Sequence, residues 1–99
     1  MIRHVVVWTM AAEDAETRAA HAAEVARLLR GLDGVVPAIR SLTVGTNDPA
    51  VAGNADVAVV IDVDDLDGLQ AYQTHPAHQE VAGFIRSVTG GRMAVDFTL

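Results

Sequence analysis

Between Gln70 and Gln79 the chain reads Gln-Ala-Tyr-Gln-Thr-His-Pro-Ala-His-Gln, placing its only tyrosine and two of its four histidines around a proline. A phenol and an imidazole are well suited to moving a proton. The imidazole titrates near neutrality and can take it, while a neutral phenol donates a hydrogen bond to charge growing on an oxygen. Pro76 lacks an N–H and holds the preceding residue extended, so it breaks a helix after Thr74 and starts another at its own position. Tyr72 therefore lies on one helical segment and His78 on the next, across a corner where both can face one cavity.

Two more residues qualify as partners. His4 shares a strand face with Ile2, Val6 and Trp8, and a histidine among apolar neighbours needs a hydrogen-bond partner. Asp96, between Val95 and Phe97, can reach the same layer from the last strand. A carboxylate fixes the tautomer of an imidazole and raises its basicity, so we expect Asp96 to orient His78 as a general base. His75 reads as structural, either capping the helix after Pro76 or fixing the corner through its ring nitrogens, and His21 as a surface residue of the first helix. The run Asp62, Asp64, Asp65, Asp67 fails the calcium-loop spacing, because Leu66 falls on a ligand position and Asp67 on the glycine position. Nucleophile-elbow, dinucleotide and His-Glu-x-x-His signatures are absent. We therefore expect no cofactor and no metal.

The elements that must position these groups follow from hydrophobic periodicity. Ile2 to Thr9 is β-branched and apolar on both alternation sets, a strand covered on both faces. Glu13, Asp14 and Glu16 supply the negative charge favoured at the start of an amphipathic helix from Ala15, whose apolar residues recur as Ala15, Ala19, Ala22, Ala26 and Leu29, with Val25, Leu28 and Leu32, and which stops at Gly34. Ile39 to Val44 alternates as a second strand, Gly45 to Asn54 is a loop, and Asp56 to Val63 is a third strand with Val57, Val59 and Ile61 on its core face. Asp64 or Asp65 caps a short helix through Gln73. The helix after Pro76 runs to Val88 and ends at Gly90-Gly91, and Met93 to Leu99 alternates as a last strand.

This order, β-α-β-β-α-β, is the ferredoxin-like split unit: an α+β fold with a four-stranded antiparallel sheet and its helices on one face. A single domain over residues 1–99 accounts for the chain. The uncovered face carries Val5, Val7, Ala58, Val60, Met93, Val95 and Phe97, so we expect a homodimer joined sheet to sheet into an α/β barrel. Antiparallel pairing would bring Val57 and Val59 into one layer with His4, Val6 and Trp8, as the floor of a small-molecule pocket.

Composition narrows the function further. The chain has 99 residues, no cysteine and no lysine, and seven arginines against 13 acids for a net charge of −6. Thiol chemistry, lysine Schiff bases and the P-loop lysine are excluded, and without a basic run nucleic acid and anionic membrane are poor partners. With no membrane-spanning run, we expect a soluble cytoplasmic protein.

Over nearly its whole length the chain resembles the stress-responsive dimeric α/β barrel (Dabb) family. The resemblance rests on Met-Ile-Arg-His-Val-Val at the start, Gly34-Val-Val-Pro-Ala-Ile-Arg-Ser41, Tyr72 with His75-Pro-Ala-His78, and Val95-Asp96-Phe97. It implies the same fold and dimer. Its best-defined kind of activity is that of a plant polyketide cyclase, which performs an intramolecular aldol condensation without a cofactor. That resemblance implies a base at His78, an assisting phenol at Tyr72, and supporting roles for His4 and Asp96. It also places Val25 and Leu29 where the cyclase has aromatic pocket residues, and Val57 where it has a histidine. The expected pocket is thus Val6, Trp8, Val25, Leu29, Val57 and Val59, and the expected chemistry aldol or enolisation on a small carbonyl or aromatic compound. The alternatives are a non-catalytic, stress-linked binding or structural dimer and, on the strength of Trp8 beside His4, a cofactor-free monooxygenase.

Overall fold

A computed structural model describes all residues, 1–99. Its elements are β1 (Ile2–Met10), α1 (Ala15–Arg30), β2 (Ser41–Thr46), β3 (Val57–Val63), α2 (Leu66–Thr74), α3 (Pro76–Val88) and β4 (Thr89–Thr98). The four strands form one antiparallel sheet in the order β2-β3-β1-β4, with α2 and α3 together taking the place of the second helix of the ferredoxin-like unit.

Successive side chains of a strand alternate between faces, and the register fixes which residues share one. His4, Val6 and Trp8 of β1 lie opposite Ile61, Val59 and Val57 of β3, and on the other side opposite Asp96, Ala94 and Arg92 of β4. This is the helix-covered face. Its central residues are almost fully buried together with Val25 and Leu29 of α1 and Val81 and Ile85 of α3. The opposite face holds Val5, Val7, Val60, Met93, Val95 and Phe97, and on β4 these apolar groups are well exposed, Met93 at 75%.

Most boundaries match the sequence pattern, and the exceptions have local causes. Helix α1 ends earlier than Gly34, at Arg30, with Gly31 donating its N–H to the Arg27 and Leu29 carbonyls. Turns then carry the chain to Gly34, whose φ of 79° suits glycine. Strand β2 is shifted towards Gly45 and Thr46, which pair with Ala58 and Val57 instead of beginning the loop. Asp65, and not Asp64, caps α2 by accepting from the Gly68 N–H. Gly90 and Gly91 do not terminate α3. That helix ends at Val88, Thr89 turns extended, and the glycines belong to β4, where they run beside Thr9 and Ala11 at the irregular end of β1. No helix is long and apolar enough to cross a membrane.

Candidate functional site

The corner at Pro76 is built from hydrogen bonds that the proline displaces. His75 has the extended backbone expected before proline, φ −62° and ψ 135°, and its Nδ1 accepts the Ala77 N–H at 3.1 Å. In an unbroken helix that N–H would have served the carbonyl of Gln73. The Gln73 oxygen is instead taken by His78 Nδ1 at 2.9 Å and by the side chain of Gln79 at 2.6 Å. A carbonyl only accepts, so His78 carries its proton on Nδ1 and its Nε2 holds a lone pair. The proline therefore fixes the tautomer of the neutral imidazole two residues later.

Tyr72 packs beside it, with ring centroids 4.4 Å apart, and the His4 ring lies 5.9 Å from Tyr72 on the other side in an edge-on arrangement. Tyr72 is 1% exposed and His4 4%. His4 donates from Nδ1 to Asp96 Oδ1 at 2.5 Å, across the β1–β4 pairing that sets the two residues directly opposite each other. The expected link between Asp96 and His78 is thus corrected: β4 brings the carboxylate to His4, and His78 is oriented by a backbone carbonyl.

These three rings border one cavity of about 630 Å³ between the sheet and the α2–α3 corner. Val6, Trp8 and Leu29 lie on its walls as expected. Val25, Val57 and Val59 do not; they are 0–2% exposed in the packed core below α1. The physical reason is the placement of the helices, which pack over β1, β2 and β3 and leave the helix-side surface of β4 open, so the space lies at the β1–β4 side. Neither Tyr72 Oη nor Nε2 of either histidine is a buried group lacking a partner, and none is bonded within the chain, so all three atoms are open to the cavity.

Burial pushes the Tyr72 phenol up to about 12, with Arg92 pulling weakly the other way. Burial also pushes the His78 imidazole below its usual value; the Gln73 carbonyl opposes this, while His4, Arg86 and Arg92 add to it. At neutral pH the site therefore offers a neutral phenol as donor and a neutral imidazole as acceptor. No three His, Asp or Glu side chains gather closely enough to hold a metal ion.

Several lining residues were not anticipated, among them Gln73, Arg86 and Arg92. Gln73 acts through its backbone, which sequence patterns do not display. Arg86 falls in the last turn of α3, where a cation is common for other reasons. Arg92 was the detectable one, since alternation from Asp96 through Ala94 puts it on the same face.

Solved structures share this fold. A dimeric protein of unknown function from Bacteroides fragilis matches with a TM-score of 0.87 at 22% identity, covering 99% of this chain and 95% of its own. A dimeric ferredoxin-like protein of unknown function from Thermobifida fusca matches with a TM-score of 0.83 at 31% identity, covering 99% and 90%. A hydroxynitrile lyase from Passiflora edulis has a TM-score of 0.77 at 15% identity, covering 97% and 90%, a likeness of fold alone. No curated protein matches the sequence significantly. The model of the stress responsive A/B barrel domain matches residues 2–99, and the chain belongs to that family.

Proposed function

We propose that the protein is a sheet-to-sheet homodimer in which each protomer performs cofactor-free acid–base chemistry, an enolisation or aldol-type step, on a small carbonyl compound. The dimer is supported by the exposed apolar residues of β4 and by the dimeric state of the two unknown-function relatives. The chemistry is supported above all by one observation: a neutral imidazole of fixed tautomer and a neutral phenol, in contact with each other, face the same cavity.

In this reading Nε2 of His78 removes a proton from the carbon next to the substrate carbonyl. Tyr72 Oη donates a hydrogen bond to the enolate oxygen as its charge grows, which its high pKa permits without ionisation. Asp96 acts through His4, whose ring fixes the other side of Tyr72. The name of the Passiflora relative indicates that the fold hosts lyase chemistry, which is compatible with a general base in this pocket.

The test is deuterium exchange into the carbon beside the carbonyl of benzylacetone, followed by NMR. The protein should accelerate it; His78→Ala should lower the protein-dependent rate about a hundredfold, and Tyr72→Phe about tenfold or more. Exchange that is unchanged in His78→Ala, or absent in the parent, refutes the acid–base reading. The dimer is tested separately: Val95→Arg with Phe97→Arg should give monomers in sedimentation, and unchanged association refutes the sheet-to-sheet contact.

A further inference from the structure

The charges around the cavity run against those of the whole molecule. The chain carries a net −6, yet the cavity is lined by His4, His78, Arg86 and Arg92 and by no aspartate or glutamate. The arginines divide in the same way. Arg3, Arg18, Arg27 and Arg40 are each paired with a carboxylate, and Arg30 donates to the Val44 carbonyl. Only Arg86 and Arg92 make no hydrogen bond or ion pair within the chain, and both lie on this one cavity. In a protein with nearly twice as many acids as arginines, two guanidiniums left free at one place indicate a partner from outside.

Helix polarity accounts in part for Arg86, in the last turn of α3, but not for Arg92, which stands on the helix-covered side of β4 opposite Trp8. Both act electrostatically on the Tyr72–His78 pair or one of its members, so a group seated on them is close to the reacting atoms. Between the arginines and the rings the wall is apolar, with Val6, Trp8, Leu29, Val81 and Ile85. A guanidinium is matched to a carboxylate by charge and by its fork of parallel donors.

We infer that the ligand of this cavity is an organic acid: a carboxylate held by Arg86 and Arg92, on an apolar or aromatic body that lies over Trp8 and carries the reactive carbonyl inward. The inference rests on the proposed use of the cavity and names its substrate class, a keto acid. The anchored carboxylate would orient the substrate so that the proton to be removed faces His78.

Trp8 is the only tryptophan and lines the cavity, so its fluorescence reports binding without any need for turnover. Hydrocinnamate and the uncharged hydrocinnamamide are titrated against the intact protein. The acid should bind at least tenfold more tightly than the amide, and added salt should weaken only the acid. Arg92→Gln and Arg86→Gln should each weaken the acid about tenfold and leave the amide unchanged; both side chains are exposed, so the variants should melt with the parent. Equal binding of acid and amide, no binding of the acid, or equal weakening of both by the arginine changes overturns the inference, as it would if a partner protomer's carboxylate occupied the pair. His78→Ala separates the two ideas: a kept preference for the acid with unchanged benzylacetone exchange removes the catalytic reading alone. A lost preference in the arginine variants' parent, with exchange still dependent on His78, removes the acid ligand alone.

Discussion

The two faces of the sheet use the same pairing, a cation-forming side chain against an aspartate, at consecutive positions of β1, and they use it differently. Arg3 lies directly opposite Asp62 of β3 on the open face, and His4 directly opposite Asp96 of β4 on the covered one. On the open face Arg3 grips Asp62 through two hydrogen bonds of 2.8 and 2.9 Å, and Ser41 adds a third at 3.0 Å. That pair is closed on itself. On the covered face Asp96 engages one nitrogen of His4 and leaves the other to the cavity. A pair locked by two parallel hydrogen bonds, with Ser41 on the same carboxylate, holds strands together; one that keeps a free nitrogen beside a phenol is available to a ligand.

The largest effect expected from breaking this contrast is on the open face. Asp62→Ala removes a buried carboxylate and with it the shared acceptor of the partly exposed Arg3 guanidinium and of the Ser41 hydroxyl. It should lower the thermal midpoint by about 5 °C, with the exchange rate per folded molecule unchanged. A variant that melts with the parent would show that the open-face pair does not hold the strands.

A smaller effect, and of the other kind, is expected from Asp96→Ala. The His4 ring loses its orienting acceptor, so exchange should slow about tenfold while the melting midpoint moves less than in Asp62→Ala. Asp96→Asn keeps an oxygen that can accept from Nδ1 and should recover most of the rate. If Asp96→Ala instead behaved like Asp62→Ala, stable exchange with a lowered midpoint, the two pairs would be equivalent and the covered one structural.

The contrast also explains which features were legible in the sequence. The alternation in β1 and β3, the capped helices and the Pro76 break each depend on neighbours in the chain, so element order, fold class and the uncovered apolar face could be read directly. The Tyr72–His78 pairing is local to the same corner and could be read too. The partner of Asp96 could not, because it depends on the register between two strands at opposite ends of the chain, and a shift of one position turns the carboxylate to the other face. The assignment of Val25, Val57 and Val59 to the pocket failed for a related reason. Periodicity identifies the face a residue is on but not where along the sheet the helices leave space, and here the space lies over β4. Gly90 and Gly91 misled because a glycine pair after a helix is a common stop signal, whereas here it begins a strand packed against Ala11 and Thr9.

The faintest effect should appear in the pH dependence of stability, where the two faces fail at different points. The native His78 ring takes up a proton less readily than in the unfolded chain, whose histidine titrates near 6.5. As the pH falls below that value the unfolded state binds more protons, so stability is complete above about 6.5 and declines as the pH drops through the lower native value. Asp62 behaves alike at lower pH, because the hydrogen bond from Arg3 holds its carboxyl below the usual 3.8. Its contribution is intact above that pH and is lost as the solution is acidified through the depressed native value. Urea unfolding from pH 8 downwards should therefore show two separate declines, the upper absent in His78→Ala and the lower reduced in Asp62→Ala. The acid limb of the exchange rate should follow the upper decline, below pH 6.5, and be indifferent to the lower. An acid limb lying above 6.5 would mean that the group whose protonation stops the exchange is not the depressed imidazole of the covered face, and would remove His78 from the role of base.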